Sequence, residues 1–361
     1  MKHDTRFIDE LKNVPVFSLK KREKKDVYVR LMNKLVNHHY KQCAEYKKML
    51  DILEYDLSID HGLEDIPFIP ARLFKLHRLS SINNSDIVKT IVSSGTTGQR
   101  PSTIVLDREN SLNQIRVLTK IISSITGKKR IPMLVIDSPA VLKDRDMFSA
   151  RGAGILGFSM LATKVEYALN NDMELNIDRV KKFSARYQNE PTLVFGFTYM
   201  IWEYFYKILF DHSKSINLEN AIMLHGGGWK KLTDQSVDNN TFKNEIKKVS
   251  SISSIYNYYG MVEQSGSIFI ECEEGYLHTS IYSDVIIRRN NFTICDQNET
   301  GIIQVISLLP TSYPGHSILT EDSGVIIGED DCSCGRNGKY FFVTGRIKSA
   351  EVRGCSDTFE R

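Results

Sequence analysis

The sequence predicts an α/β protein with a helical N-terminal segment and a β-rich part towards its C-terminal end. Apolar residues first recur at roughly helical spacing, helices then alternate with short apolar strands from about residue 92 to 260, and strand-like runs dominate after residue 265. Alternation of helices and strands implies crossover connections and hence a largely parallel sheet. We therefore expect four segments: a helical N-terminal segment (1–66), an α/β core (67–264), a β-rich subdomain (265–345) and a C-terminal tail (346–361).

The N-terminal segment carries the helical period. Its apolar positions are Val27, Leu31, Leu35, Cys43, Tyr46, Leu50 and Leu53. The prolines of the run Asp65-Ile66-Pro67-Phe68-Ile69-Pro70 end this pattern, because proline lacks an N–H donor and extends the residue before it.

The middle of the chain supplies the elements of the predicted parallel sheet. One helix face is formed by Leu112, Ile115, Leu118, Ile122 and Ile125. Buried strands are predicted at 133–136, 193–195 and 222–224, with a helix around 201–210 between the last two. After residue 265, further strands are predicted at 267–270, 285–287 and 302–306.

Length and composition bound the possible functions. The 361 residues, 41% of them hydrophobic, suffice for one large or two unequal domains. A net charge of +3 with well-mixed signs argues against a nucleic-acid-binding face. No apolar stretch approaches the ~20 residues of a membrane span, and the N-terminus does not read as a signal peptide. Six cysteines without an export signal then predict reduced thiols and a cytoplasmic protein.

The strongest motif is a run of small hydroxyl residues and glycines between two strand-like segments. It contains Ser93, Ser94, Gly95, Thr96, Thr97 and Gly98. Glycine permits a positive φ and a close backbone approach, so that successive N–H groups and hydroxyls can hold a phosphate. The run is not a nucleoside triphosphatase P-loop, because no Lys follows Gly98. The alternative interpretation is a polar hairpin turn.

Three later segments follow in a fixed order. The first is an apolar strand that ends in Gly226, Gly227 and Gly228. The second contains Tyr258, Tyr259, Gly260 and Glu263. The third contains Asp322 and is followed by Gly345-Arg346. Each has an ordinary alternative: a strand exit, a buried Tyr-rich strand, or a turn. Together with the loop, they resemble the adenylate-forming superfamily, which includes the acyl-CoA synthetases.

This resemblance implies the fold of the large N-terminal domain of an adenylate-forming enzyme. It also implies that residues 93–98 bind the phosphates of ATP, that the glycines at 226–228 let adenine lie against bare backbone, and that an aromatic of 258–260 stacks on it. Glu263 would hold Mg²⁺, whose preferred ligands are oxygen atoms. Asp322 would bind the ribose hydroxyls, and Arg346 would lie near the ribose and phosphate. The family usually has Lys where this chain has Ser102, and Arg100 is expected to replace part of that charge.

The C-terminal tail resembles a narrower group, the acyl-protein synthetases of the bacterial luciferase fatty-acid reductase system. The shared segments are Asp65-Ile66-Pro67, Leu73-Phe74-Lys75, the triple glycine with Trp229-Lys230, Thr311-Ser312-Tyr313-Pro314 and Gly354-Cys355-Ser356. The chain stops 15 residues after Arg346 (361 − 346), so we expect most of the usual mobile C-terminal domain to be missing.

The resemblance implies that Cys355 accepts the acyl group. A thiol is appreciably ionised near neutrality and attacks an acyl-adenylate readily, and Arg353 nearby would favour the thiolate. The alternative is a tail cysteine with no acyl-accepting role.

A second constellation consists of Cys272, His278, Cys332 and Cys334. Three thiolates and one imidazole suit a structural Zn²⁺ site. The run Cys332-Ser333-Cys334-Gly335-Arg336 resembles phenylacetate–CoA ligase relatives, whereas the luciferase-linked branch generally lacks it. The alternative is four reduced residues in β turns.

These observations lead to one main functional hypothesis and two alternatives. The main hypothesis is ATP-dependent activation of a carboxylic acid, in this family a fatty acid, followed by acyl transfer to Cys355 and then to a partner such as an acyl reductase. Segment 151–158 is a candidate acyl pocket, although a Gly-rich helix start would look the same. The first alternative delivers the acyl group to CoA or an acyl-carrier protein. The second is a catalytically silent subunit that only binds a partner. Resemblance alone does not assign a role in luminescence.

Overall fold

The computed structural model describes residues 8–93, 101–128, 130–142 and 150–347. These residues divide into two compact units. The first unit contains residues 8–93, 101–121 and 260–347, and the second contains the described residues between 122 and 259.

The helices include two in the N-terminal segment and several that alternate with strands. Their bounds are α1 (Lys21–Gln42), α2 (Ala44–Ile52), α3 (Leu73–Leu76), α4 (Arg108–Thr126), α5 (Ala150–Ser159), α6 (Ile177–Arg186), α7 (Thr198–Ile201), α8 (Lys207–Asp211) and α9 (Asn239–Ser250). A π-helical turn (Trp202–Tyr206) joins α7 to α8. Among the described residues, no helix combines the length and apolar character that crossing a membrane requires.

Most strands belong to a parallel group or to a later antiparallel group, and β2 and β3 form a separate antiparallel pair. Their bounds are β1 (Ile69–Pro70), β2 (Lys89–Val92), β3 (Thr103–Leu106), β4 (Ile131–Val135), β5 (Ala162–Tyr167), β6 (Thr192–Phe197), β7 (Ala221–Gly226), β8 (Ser254–Tyr259), β9 (Phe269–Glu271), β10 (Leu277–His278), β11 (Ser283–Arg288), β12 (Gly301–Ser307), β13 (Ser317–Glu329) and β14 (Lys339–Arg346).

The second unit is built on a parallel sheet with the strand order β8-β7-β6-β4-β5. Strands β4 and β6 are buried along their whole length, as continuous apolar runs in parallel sheets are. Side chains of β4, β6, β7 and β8 share one core with α6, α8, α9 and the π-helical turn, including Phe183, Phe205 and Phe242. The predicted α/β class and parallel sheet are therefore confirmed.

The first unit contains the antiparallel strands, in the order β11-β12-β13-β14-β10-β9, with β1 parallel to β13. The strand predicted at 267–270 begins only at Phe269, because Gly266 has a φ of +87° and the Ser267 N–H closes a turn onto the Gln264 carbonyl. The predicted strands at 285–287 and 302–306 lie within β11 and β12.

Helix α1 is fixed within the first unit by a buried lysine. The Lys24 ammonium donates hydrogen bonds to Thr279 Oγ1 (3.0 Å) and to the Ser283 carbonyl (2.8 Å), and lies 3.4 Å from Asp284 Oδ2. Lys339 Nζ lies 3.1 Å from the other oxygen of the same carboxylate. A buried charge requires such partners, so this cluster sets the position of α1 against β11.

Candidate functional site

The hydroxyl- and glycine-rich run connects strands β2 and β3, which pair with each other. Strands β2 and β3 pair antiparallel, with Val92 opposite Thr103. The Ser93 N–H donates to the Ser102 carbonyl (2.9 Å), and the Ser102 N–H donates to Ser93 Oγ (2.8 Å). The flanking strands predicted from the sequence are thus present.

All residues of the run except Ser93 lie outside the described part of the chain. They are Ser94, Gly95, Thr96, Thr97, Gly98 and, beyond them, Arg100. Phosphate binding by this loop therefore stays a prediction.

In the second unit, three neighbouring parallel strands end at the same level. Phe197 of β6 is in register with Gly226 of β7, and Gly226 is in register with Tyr258 of β8. The carboxyl ends of parallel strands are the usual place for a ligand in an open α/β sheet. Tyr259 ends β8 at this edge.

Two of the three glycines at the end of β7, Gly226 and Gly227, leave no space for a side chain. A Cβ at Gly226 would lie 2.7 Å from the Tyr258 carbonyl oxygen, and one at Gly227 would lie 2.5 Å from Phe197 Cδ1. Gly227 and Gly228 also have φ values of +80° and +66°, in the left-handed region that favours glycine. The result is bare backbone next to the Phe197 and Tyr258 rings, which suits a flat ligand.

His225 precedes these glycines and is a structural residue. Burial lowers its pKa to about 3, so that the ring is neutral. Its Nδ1 lies 3.0 Å from Thr198 Oγ1, and this hydroxyl also donates to the Gly226 carbonyl at 3.1 Å. The pair therefore links the end of β7 to the start of α7.

A buried ion pair that the sequence analysis did not single out lies near the ends of β4 and β6. Arg151 Nε is 3.0 Å from Asp137 Oδ2, and Arg151 Nη1 donates to Tyr199 Oη at 3.2 Å. The only signal for it in the sequence is an aspartate directly after a buried strand. On the same helix as Arg151, Gly154 would place a Cβ 3.3 Å from Phe197 Cζ, so this glycine allows close packing of α5 on β6. An acyl pocket at 151–158 stays a prediction.

In the first unit, Glu263 is a buried carboxylate on a short turn. It is 2% exposed and lies in the 3₁₀ turn Val262–Gln264. Its Oε1 atom makes no hydrogen bond within the described part of the chain. Tyr313 Oη donates to the Glu263 carbonyl at 2.9 Å, and Gln264 Nε2 donates to the carbonyls of Val305 and Gly315. A buried oxygen of this kind can be satisfied by a bound cation.

Two of the segments that resemble the acyl-protein synthetases, 73–75 and 311–314, contact each other beside this turn. The Phe74 ring packs edge-on against the Tyr313 ring, with 6.1 Å between centroids. Asn110 Nδ2 donates to Thr311 Oγ1 at 2.9 Å, and Ser312 Oγ accepts from the Asp107 N–H at 3.1 Å. Segments 73–75 and 311–314 therefore form the support of Glu263. Gly260 belongs to the same unit, where a Cβ would lie 3.1 Å from Ile268 Cγ2.

Asp322 and Arg346 are brought together by strand register. They are opposite each other on β13 and β14, and Arg346 Nε lies 3.5 Å from Asp322 Oδ1. The Asp322 N–H donates to Thr320 Oγ1 (3.1 Å), whose hydroxyl donates to the Ile303 carbonyl (2.8 Å). Both charged side chains are partly exposed.

The predicted metal ligands also converge in the first unit. The ligand atoms of Cys272, His278, Cys332 and Cys334 all lie within 4.8 Å of one another. Burial raises the pKa of each of the three thiols and lowers that of His278 to about 4. Cys355, the predicted acyl acceptor, and Arg353 lie outside the described residues.

Comparison with solved structures defines the class of the fold. The chain superposes on a crystal structure of 2-hydroxyisobutyryl-CoA ligase in an open conformation, in complex with 2-HIB-AMP and CoA, with a TM-score of 0.72 and 15% identity. The match covers 93% of this chain and 78% of that one. A structure of the same ligase in the thioesterification state gives a TM-score of 0.72 over 92% of this chain and 70% of that one, with 16% identity. The fold is that of an adenylate-forming ligase.

Sequence comparison gives the family. A family profile described as "Acyl-protein synthetase, LuxE" matches residues 7–361, and the chain belongs to this family. The long-chain-fatty-acid–luciferin-component ligase of Aliivibrio fischeri is 21% identical over 350 residues, which cover 92% of this chain and 88% of the relative. The ligase of the same name from Vibrio harveyi is 21% identical over 352 residues, covering 92% and 87%. The chain is therefore an enzyme, an acyl-protein synthetase of the ligase class.

Proposed function

We propose that this acyl-protein synthetase uses ATP and Mg²⁺ to convert a fatty acid into its acyl-adenylate and then transfers the acyl group to the thiol of Cys355. The observation that carries the proposal is the Glu263 turn. Its carboxylate is buried, and one of the carboxylate oxygens has no hydrogen-bond partner within the described residues. The backbone carbonyl of Glu263 accepts a hydrogen bond from Tyr313, which belongs to segment 311–314. This arrangement fits a site for a hard divalent cation.

In the first step, a carboxylate oxygen of the fatty acid attacks the α-phosphorus of ATP, and the bond to pyrophosphate breaks. Mg²⁺ would supply charge neutralisation on the phosphate oxygens, with Glu263 as its protein ligand. We assign the remaining superfamily roles to the residues of this chain that match the superfamily motifs. The run 93–98 would bind phosphates, and Gly226, Gly227 and Gly228 with Tyr258, Tyr259 and Gly260 would accommodate adenine. Asp322 would bind the ribose hydroxyls, and Arg346 the ribose and phosphate.

In the second step, the Cys355 thiolate attacks the acyl carbonyl, AMP leaves, and a thioester forms. The thioester then passes its acyl group to a partner, which we propose is an acyl reductase. The names of the Aliivibrio and Vibrio relatives support a long-chain fatty acid as the substrate, and the family description supports a protein as the acceptor.

The first step is tested by fatty-acid-dependent exchange of pyrophosphate into ATP, measured with acids of several chain lengths. We expect exchange with wild-type protein and a loss of about 100-fold in Glu263→Gln, which removes the anionic ligand but keeps the shape of the side chain. Glu245→Gln is the control, because Glu245 is a partly buried glutamate bonded to Tyr206 and Lys248 in the other unit. If no acid supports exchange, the proposal is contradicted and the alternative of a catalytically silent binding subunit is supported.

The second step is tested by intact-protein mass spectrometry after incubation with ATP and fatty acid. We expect a thioester adduct in wild-type protein and in Cys295→Ser, and no adduct in Cys355→Ser, which should retain the exchange reaction. Synthesis of acyl-CoA or acyl-carrier thioester by Cys355→Ser, with no adduct on the wild type, would support the alternative ligase instead.

A further inference from the structure

Two hairpins of the first unit meet at the Cys/His cluster. Cys272 directly follows β9, and His278 ends β10, so the first hairpin contributes two ligand side chains. Cys332 and Cys334 lie in the connection between β13, which ends at Glu329, and β14, which begins at Lys339. The cluster therefore joins segments about 60 residues apart in sequence.

Two distances within the cluster match those of a tetrahedral metal site, and all four ligand atoms lie within 4.8 Å of one another. Zn–S bonds of about 2.3 Å and Zn–N bonds of about 2.0–2.1 Å place two sulfurs about 3.8 Å apart, and a sulfur and a nitrogen about 3.5 Å apart. Here Cys272 Sγ and Cys332 Sγ are 3.9 Å apart, and Cys334 Sγ and His278 Nε2 are 3.4 Å apart. Two sulfurs at this separation are far beyond the length of a disulfide bond.

The surroundings of the cluster suit a centre with excess negative charge. Three thiolates, one neutral imidazole and Zn²⁺ give a net charge of −1. The Arg336 N–H donates to Cys334 Sγ at 3.5 Å, and the Arg336 guanidinium is fixed over the Phe17 ring at 4.8 Å. The guanidinium also donates to the Glu271 carbonyl at 3.1 Å, one residue before the Cys272 ligand. The positive charge is therefore held beside both hairpins.

The imidazole is oriented by packing on two sides. The Tyr340 ring stacks on the His278 ring with 5.5 Å between centroids, and the Phe17 ring contacts it edge-on at 6.3 Å. The turn that presents the cysteines requires Gly335, whose φ is +79° and whose N–H donates to the Cys332 carbonyl at 3.0 Å. The first coordination sphere is thus set by local structure on both hairpins.

We propose that Cys272, His278, Cys332 and Cys334 bind one Zn²⁺ ion as a structural site that joins the β9–β10 hairpin to the β13–β14 hairpin. Four protein ligands complete a tetrahedron and leave no position for substrate, so the ion is not a catalytic centre. On binding, three thiols release their protons to solvent, and the neutral imidazole releases none. Strand β10 pairs with β14 over only two residues, and the ion reinforces this short contact.

The test uses the full-length protein purified without an affinity tag, with its metal content measured by mass spectrometry. We expect one equivalent of zinc per chain. Replacement by Co²⁺ should give the visible absorption and the thiolate charge-transfer bands of a tetrahedral site with three sulfur ligands. Cys334→Ser, at the most exposed of the three ligand cysteines, should lose most of the metal. Cys295→Ser, at a buried cysteine outside the cluster, should retain it.

Stability provides a readout that does not depend on any enzymatic activity. Strong chelators should lower the melting temperature of the wild type by several degrees, added zinc should restore it, and neither should affect Cys334→Ser. The proposal is overturned if wild-type protein incubated with zinc or cobalt binds neither and melts unchanged. It is also overturned if the cluster contains iron and sulfide, or if thiol counting shows Cys272 and Cys332 joined as a disulfide. A well-folded Cys334→Ser variant that keeps one equivalent of zinc would likewise contradict it.

Discussion

Glu263 shows how a few side chains from distant segments fix one carboxylate. The turn that carries it is too short to hold its own conformation, so its backbone depends on Tyr313, which donates to the Glu263 carbonyl. Burial raises the pKa of Tyr313, so its hydroxyl remains a donor at neutral pH. The residue after the carboxylate, Gln264, donates to two further carbonyls. Tyr313 is thus a positioning residue for Glu263.

A matched pair of tyrosine variants tests this positioning role. Tyr313→Phe and Tyr28→Phe each remove one buried hydroxyl that donates to a carbonyl, that of Glu263 in one case and that of Ile281 in the other. We expect each to lose about 1 kcal/mol of stability in denaturant unfolding. Only Tyr313→Phe should raise the Mg²⁺ concentration needed for half-maximal pyrophosphate exchange, by several fold. Equal exchange behaviour in the two variants would contradict the role.

The sequence predicts roles for Glu263, Asp322 and Arg346 but does not predict the contacts that hold them. A motif gives residue types and order, whereas the pairing of Asp322 with Arg346 depends on strand register, and the support by Tyr313 depends on a contact 50 residues away. Asp137 belongs to no motif, so only the structure shows its buried ion pair with Arg151. Contacts between distant segments are the part that sequence spacing cannot supply.

At the scale of elements, the strand predictions succeeded where apolar runs were continuous. Strands β6 and β7 contain the predicted runs, and β4 contains all of its predicted run except Ile136, because a strand buried on both faces needs apolar residues at successive positions. Strand β9 starts later than predicted, since a glycine turn precedes it. The predicted metal ligands converge although they come from two hairpins, a placement that follows from the pairing of β10 with β14.

The end of β7 allows two adjacent glycines to be compared. In Gly227→Ala the new methyl group would meet Phe197 Cδ1 at 2.5 Å, whereas at Gly228 no atom of the described residues, apart from the chain neighbours, lies within 4 Å of the new position. Both positions have a positive φ, so each change costs about 1 kcal/mol of backbone strain. Gly227→Ala should lose about 1–3 kcal/mol more, through the clash with Phe197.

Denaturant unfolding measures this difference, and the double variant Gly227→Ala/Phe197→Leu checks its cause. Leucine lacks the ring carbon that the methyl group meets, so the double variant should recover part of the lost stability relative to Phe197→Leu alone. Equal stability of the two alanine variants would show that the Phe197 ring moves away from the methyl group without loss of stability.

At the scale of the whole molecule, buried neutral histidines couple folding to pH. Burial lowers the pKa of His225 in the second unit and of His316 in the first to about 3. The His316 ring stacks on the His39 ring at 4.9 Å, and its Nε2 lies 3.2 Å from Tyr46 Oη. His39 is buried too, and its pKa is likewise lowered. A proton on any of these rings would be an unpaired charge in the core.

These shifts predict that the protein loses stability on mild acidification. An unfolded histidine binds its proton near pH 6.5, whereas the folded rings of His225 and His316 do so only near pH 3. Between these values the unfolded state binds more protons, so the free energy of unfolding falls as the pH falls through this window. From pH 7 to pH 5, each of the two rings should contribute a loss of about 2 kcal/mol.

Replacement of one ring by a residue that does not titrate isolates its share of this loss. His316→Gln keeps a polar group facing Tyr46 but binds no proton, so its free energy of unfolding should fall by about 2 kcal/mol less than that of the wild type between pH 7 and pH 5. His212→Gln, at an exposed position, should follow the wild-type pH dependence. Denaturant titrations at several pH values, followed by circular dichroism, measure all three proteins. An unchanged pH dependence in His316→Gln would mean that the folded protein accommodates a protonated His316, because only a ring that stays neutral in the folded state produces this linkage.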